Sequence, residues 1–130
     1  MSKQPVRTST APDPMPRVFP QAVVANGLVY CSGNISMDET NHLIEGDVKA
    51  HTHQIIKNLS EVLKAAGSSL DKIVKINIYL ADFGDFDQVN EVYCQYFKAP
   101  NLPSRTCVCV KSLPFNTDIE VECTALVGPE

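Results

Sequence analysis

No stretch of this 130-residue chain approaches the ~20 consecutive apolar residues that cross a bilayer, so no membrane-spanning helix is expected. No two basic residues are adjacent. The eleven Lys and Arg are scattered along a chain of net charge −4, which leaves no basic stripe to follow a nucleic-acid backbone. No apolar segment follows Met1, so a secretory leader is not expected either. Cys-x-x-Cys is absent, and the five cysteines (Cys31, Cys94, Cys107, Cys109, Cys123) are odd in number. Reduced thiols in a cytoplasmic protein fit that pattern better than a disulfide framework. Ser, Thr and three basic residues among the first 17 faintly resemble a mitochondrial presequence, but the prolines there oppose the amphipathic helix such a segment needs. Histidine is scarce. His51 and His53 are two apart and so on different faces of a helix, and with His42 the only other one no zinc or other metal site is expected.

What is present fits one folded domain. Hydrophobic residues make up 44% and charged residues 20%, enough apolar surface for a core and too little charge for disorder. Five of the nine prolines precede Gln21, so residues 1–20 read as an N-terminal arm and residues 21–130 as the domain. There is no internal repeat. Gln21–Ala25 and Leu28–Ser32 are apolar runs joined by Asn26-Gly27, a strong hairpin signal because both turn positions take positive φ. Met37–Asn41 reads as a loop. Asp47 is a candidate N-cap for a helix with apolar residues at Val48, Ile55, Ile56, Leu59, Val62, Leu63 and Ala66, ended by Gly67. From Lys72 to Leu80 the sequence alternates, placing Val74, Ile76, Ile78 and Leu80 on one face and Lys75, Asn77 and Tyr79 on the other. A second helix is expected from Phe83 or Asp85 to Phe97, its buried stripe formed by Phe86, Val89, Tyr93, Tyr96 and Phe97. Asp85 and Gln88 resemble a capping box. Ser104–Val110 and Asp118–Leu126 read as two further strands. The order ββ-α-β-α-ββ predicts an α+β fold with both helices on one face of the sheet.

The last two strands carry the most information. Thr106, Val108 and Val110 share one face of the first, and Arg105, Cys107 and Cys109 the other. On the second, Ile119, Val121 and Cys123 alternate with Glu120 and Glu122. Giving the apolar sets to the helix layer puts the arginine, both thiols and both carboxylates on the opposite face, with Lys75, Asn77 and Tyr79. Such a face is either the solvated side of an antiparallel sheet or a surface covered by another subunit. Two cysteines favour cover, since thiols are seldom left wet. Charges buried there need partners, and a subunit seam lined by Arg and Glu suits a small anion.

These residues resemble a known signature. Leu102-Pro103-Ser104-Arg105-Thr106-Cys107-Val108, followed by Ile119-Glu120-Val121-Glu122, is similar to that of the RidA (YjgF) family, also labelled endoribonuclease L-PSP. Gln21-Ala22-Val23, Cys31-Ser32-Gly33, Ala65–Lys75 and Phe86–Tyr93 match as well, so the resemblance runs from about Ala11 to Val127. It implies a chorismate-mutase-like mixed sheet and a homotrimer with an inner barrel. It also implies hydrolysis of 2-iminobutanoate and 2-iminopropanoate, made by pyridoxal-phosphate dehydratases, to 2-oxo acids and ammonia without a cofactor. Carried over residue by residue, Arg105 holds the substrate carboxylate and Glu120 positions or activates water or passes a proton to the leaving amine. Cys107 supplies backbone and pocket wall, and Gly33 allows close backbone approach to the ligand. Two positions depart from the family. Phe19 stands where a Tyr is usual, so it reads as a wall of the pocket and the phenolic hydroxyl is missing. Asn34 is one methylene shorter than the usual Gln, which implies weaker activity or a shift toward larger side chains.

Other constellations in the sequence are weaker. Cys107 and Cys109 could sense redox state but read better as inert thiols. Asn90 and Tyr93 read as core and cap features. Ribonuclease chemistry lacks a histidine pair and a basic track. A non-catalytic trimer binding small carboxylates, or acting as a chaperone, is the remaining alternative, and the presence of both Arg105 and Glu120 favours an enzyme.

Overall fold

The computed structural model describes residues 2–128. Strands β1 (Gln4–Val6), β2 (Ala22–Ala25) and β3 (Leu28–Asn34) precede helix α1 (Val48–Ala65). They are followed by β4 (Ile73–Leu80), α2 (Phe86–Tyr96), β5 (Ser104–Cys109) and β6 (Ile119–Leu126). The six strands form one sheet in the order β1-β2-β3-β6-β4-β5. Every neighbouring pair is antiparallel except β4 and β5, which are parallel and joined through α2. Both helices pack on one face of this mixed sheet, and the core lies between the two layers. The α+β arrangement expected from the element order is thus the one observed.

Local chemistry sets most of the boundaries. Asn26 and Gly27 take φ of 52° and 78°, the two positive values a two-residue hairpin turn needs. The Asp47 side chain accepts a hydrogen bond from Ala50 N–H at 3.0 Å and so caps α1. At the other end Gly67 sits at φ 81°, its N–H reaching Lys64 O at 3.1 Å while Ser68 N–H reaches Leu63 O at 2.8 Å. That pair of bonds is a Schellman ending, and the left-handed position is one that glycine fills without a Cβ penalty. Between the caps, Ile55, Leu59, Val62 and Leu63 are buried along one stripe. Leu59→Ala should lower unfolding free energy by ~2–5 kcal/mol through lost transfer and a residual cavity, read by urea titration at fixed protein concentration.

Within residues 1–20, Gln4–Val6 forms a strand paired with Ala22–Val24, with Val6 in the core. Three local expectations require correction. Val74 is 40% exposed while Ile73 is buried. The pairing with β6 shifts register between Ile73 and Lys75, so the alternation skips a residue there. Asp85 makes no side-chain cap, because its own backbone is already helical (φ −84°, ψ −4°). Asp82 instead caps the short turn Phe83–Asp85 by accepting from Gly84 N–H at 2.8 Å. Tyr96 points outward, with its hydroxyl 2.6 Å from His53 Nδ1.

The largest correction concerns β5. Arg105, Cys107 and Cys109 are registered beside Ile76, Ile78 and Leu80 of β4, which are buried under the helices. In-register neighbours share a face. The arginine and both thiols therefore lie on the helix side, and Thr106 and Val108 lie on the open side. Glu120 and Glu122 are registered with Tyr79 and Asn77 and do lie on the open side.

Candidate functional site

Glu120 projects from β6 into a cavity of about 180 Å³ bounded by Phe19, Gly33, Asn34, Met15 and Phe115. The walls are mainly apolar, and among the described residues no cation lines it. Burial, reinforced by the Glu122 carboxylate two residues along the same face, raises the Glu120 carboxyl above the usual glutamate range. Tyr79, from the neighbouring strand, donates its hydroxyl to Glu122. That bond pushes the Tyr79 phenol up to about 12 and ties Glu122 in place.

Gly33 makes the Glu120 position available. A Cβ there would lie 2.0 Å from Glu120 Oε2 and 2.8 Å from Cδ. The glycine's missing side chain makes room for the Glu120 carboxylate, and its backbone lines the same cavity. Asn34 is 8% exposed and lines the same cavity, its amide leaning back toward Ser32 O at 3.4 Å.

The segment between β1 and β2 forms the cavity's outer wall. Buried Gln21 fastens it: its amide N–H group donates to Thr8 O, Ala11 O and Pro12 O at 3.1, 3.1 and 2.9 Å, while its Oε1 accepts from Thr8 N–H at 2.7 Å. Arg7 grips Asp13 at 3.0 Å and Pro16 O at 2.8 Å. Ser32 Oγ donates to Pro20 O at 2.8 Å, holding the chain next to Phe19. The roles of Gln21 and Arg7 were not read from the sequence. A glutamine inside an apolar run, following a proline-rich segment, was the available signal.

The opposite wall contains Phe115 in the left-handed region (φ 57°, ψ 21°), followed by Asn116 at φ 56°. For a bulky residue this backbone costs roughly 1–2 kcal/mol. The turn is held by Asn116 N–H to Leu113 O at 3.0 Å and Thr117 Oγ1 to Pro114 O at 3.1 Å.

Arg105 belongs to a different place. Its guanidinium lies 4.6 Å from the Tyr93 ring centroid and 5.7 Å from that of Phe86, both on α2. It forms no ion pair among the described residues. Cys107 follows on the same face, its thiol raised by burial and partly opposed by the arginine's charge. Asn90 lies on the same face of α2 as Phe86 and Tyr93 by helical spacing, and its buried Oδ1 has no hydrogen-bond partner.

The sequence-predicted residues thus fall into two groups. Phe19, Gly33 and Glu120 meet at one cavity. Arg105 and Cys107 sit on the far face of the sheet, beside α2. Among the described residues no three His, Cys, Asp or Glu side chains gather as a metal group, and His51 is paired with Asp118 at 2.8 Å. No helix among them is long and apolar enough to cross a membrane.

The family model described as endoribonuclease L-PSP matches residues 8–127. The chain belongs to this family. The RidA resemblance of the Arg105 and Glu120 segments is thereby established for the whole domain, together with the chorismate-mutase-like fold. The mitochondrial protein mmf1 of Schizosaccharomyces pombe is 50% identical over 83% of this chain and 67% of its own length. The human 2-iminobutanoate/2-iminopropanoate deaminase is 43% identical over 85% of this chain and 81% of its own. The crystal structure of yeast Mmf1 superposes with a TM-score of 0.93 at 38% identity, covering 98% of this chain and all of that one. RidA relatives therefore include named deaminases and organellar proteins alongside the ribonuclease description of the family.

Proposed function

We propose that this RidA protein hydrolyses 2-imino and enamine acids, 2-iminobutanoate and 2-iminopropanoate among them, to 2-oxo acids and ammonia, at seams between the chains of a homotrimer. The observation that carries the reading is the separation of Arg105 from Glu120. Among the described residues the arginine lies on an aromatic bed without an anion, and the carboxyl stands in a mainly apolar cavity without a cation. The sheet between them prevents their meeting within one chain. A second copy that brings its Arg105 to the mouth of the Glu120 cavity would complete both. Tyr30, Val108 and Leu126, exposed by 47%, 42% and 48%, supply apolar surface for burial between copies.

In the completed site the Arg105 fork binds the substrate carboxylate in two parallel hydrogen bonds. Water attacks the imine carbon. Glu120 accepts a proton from that water and passes it to nitrogen, giving a carbinolamine. It then takes the carbinolamine hydroxyl proton and delivers it to the amine, so that the C=O bond forms as the C–N bond breaks and ammonia and the 2-oxo acid leave. The raised Glu120 carboxyl suits this exchange, because it can be protonated nearer neutral pH than an ordinary glutamate. Cys107 and Phe19 act as walls, and no cofactor or metal takes part. The imines would come from pyridoxal-phosphate dehydratases acting on serine and threonine, and the cytoplasm is the compartment we assign. The family's ribonuclease description finds less support. His51 and His53 lie on α1, engaged by Asp118 and Tyr96, away from Glu120.

Coupling the purified protein to a threonine dehydratase tests this. Faster loss of imine absorbance and faster ammonia release are expected, with sedimentation at about three times the 14.3 kDa chain mass. A monomer, or imine decay at the uncatalysed rate, would remove the proposal in favour of a binding module.

A further inference from the structure

We infer that the Glu120 cavity selects 2-imino acids with large apolar side chains, branched or aromatic, and that Phe115 is the residue that discriminates among them. The inference rests on the deaminase reading and concerns the substrate's side chain.

Size is the first argument. The cavity is about 180 Å³. An apolar cavity of ~150 Å³ accepts a benzene molecule. The methyl of 2-iminopropanoate or the ethyl of 2-iminobutanoate would leave most of this volume unfilled, and unfilled apolar space forfeits contact energy. A phenyl or isobutyl group matches it. The carboxylate need not enter, because among the described residues no cation lines the cavity and the candidate carboxylate anchor, Arg105, lies outside it.

The walls are the second argument. Phe19 presents a ring with no polar atom, and the Asn34 amide leans back toward Ser32 O. Asp13 and Gln21 also line the cavity but are engaged by Arg7 and by backbone groups, which leaves Phe19, Met15, Ile35 and Phe115 as its uncommitted apolar wall.

Phe115 is the third. It bears two separate costs, a left-handed backbone and a large ring left 59% exposed. Neither cost is offset by core packing, since Phe115 stands outside the core cluster. A strained, exposed aromatic at the rim of a cavity is accounted for by what it meets when the cavity fills. A ligand side chain entering toward Glu120 passes this ring.

The test compares imines generated in situ by an L-amino-acid oxidase from alanine, leucine and phenylalanine. Wild-type kcat/KM should favour the leucine and phenylalanine imines over the alanine imine by about tenfold or more, the scale on which single apolar groups discriminate. Phe115→Gly and Phe115→Asn both tolerate the left-handed backbone. Each should reduce that ratio about tenfold, with the sedimentation coefficient unchanged. A preference for the alanine imine, or a ratio unmoved by both substitutions, overturns the inference and leaves the deaminase reading standing. Dissociation on substitution would overturn it too, by making Phe115 an interface residue. Failure to hydrolyse any of the three imines would instead bring down the deaminase reading itself.

Discussion

Arg105→Ala should lower kcat/KM for 2-iminobutanoate by at least ~10–100-fold, because a small substrate draws most of its binding energy from its carboxylate and charge-assisted hydrogen bonds contribute ~1.5–3 kcal/mol each. The geometry sharpens the expectation. Tyr93 and Phe86 lie near the guanidinium at 4.6 and 5.7 Å and help fix its orientation, so its N–H groups are positioned rather than flexible. Arg105→Lys keeps the charge but loses the planar fork, and should recover little activity. Arg105 forms no ion pair among the described residues, so its removal should cost little more than its aromatic contacts, ~0.5–1 kcal/mol, and lower Tm only slightly. Near-normal turnover by Arg105→Ala, in a dehydratase-coupled assay, would end its role as the carboxylate anchor. Lost activity with an altered sedimentation profile would show that it serves assembly first.

An equally large effect is expected at Glu120, approached from two directions. Glu120→Gln removes the proton carrier, and general acid–base groups contribute ~10²–10⁴-fold. Gly33→Ala reaches the same carboxylate without altering it. The new Cβ would sit 2.0 Å from Oε2, so the Glu120 side chain must swing away. A side-chain tip can do so without moving the backbone, and the variant should be folded yet share most of the activity loss. The two variants should differ in how stability depends on pH. Burial and Glu122 raise the folded-state pKa of Glu120, so it contributes stability below the ordinary glutamate pKa. That contribution is lost as pH rises through the folded value. Tm of the wild type relative to Glu120→Gln should therefore fall on going from acid toward neutral pH, while Gly33→Ala, with its carboxylate moved to water, should show a weaker dependence. Identical pH profiles for all three proteins would contradict the burial of this carboxyl.

Local rules made much of this molecule legible. Asn26-Gly27, the Asp47 cap, the stripe of α1 and the Gly67 ending each depend on residues within a few positions of one another. The errors lie where distant chain segments decide. Both alternating sets of β5 mix polar and apolar residues, so its composition did not show which set turns inward. Pairing with Ile76 and Ile78, some thirty residues earlier, settled it and moved Arg105 and Cys107 to the helix face. Val74 was misplaced for a related reason, since the register shift that exposes it is a property of two strands. The candidate site was readable as a set of residues, through the family signature, and unreadable as a geometry. Gly33 is the clearest instance. Its closeness to Glu120, a residue 87 positions later, is a contact that only the pairing of β3 with β6 creates. Gln21 and Asn90 carry no local signal, because a buried amide gains meaning only from partners that distant parts of the chain supply or withhold.

The sheet that divides Arg105 from Glu120 has a genetic consequence. Two defective alleles, one lacking the arginine and one lacking the carboxylate, should complement each other. In trimers reassembled from equal amounts of Arg105→Ala and Glu120→Gln chains, a seam is intact when the first neighbour supplies the arginine and the second the glutamate. Random assortment around a closed ring gives about a quarter of seams of that kind. Two inactive proteins would then yield a mixture with about a quarter of wild-type activity per seam, whereas a site contained within one chain would yield none.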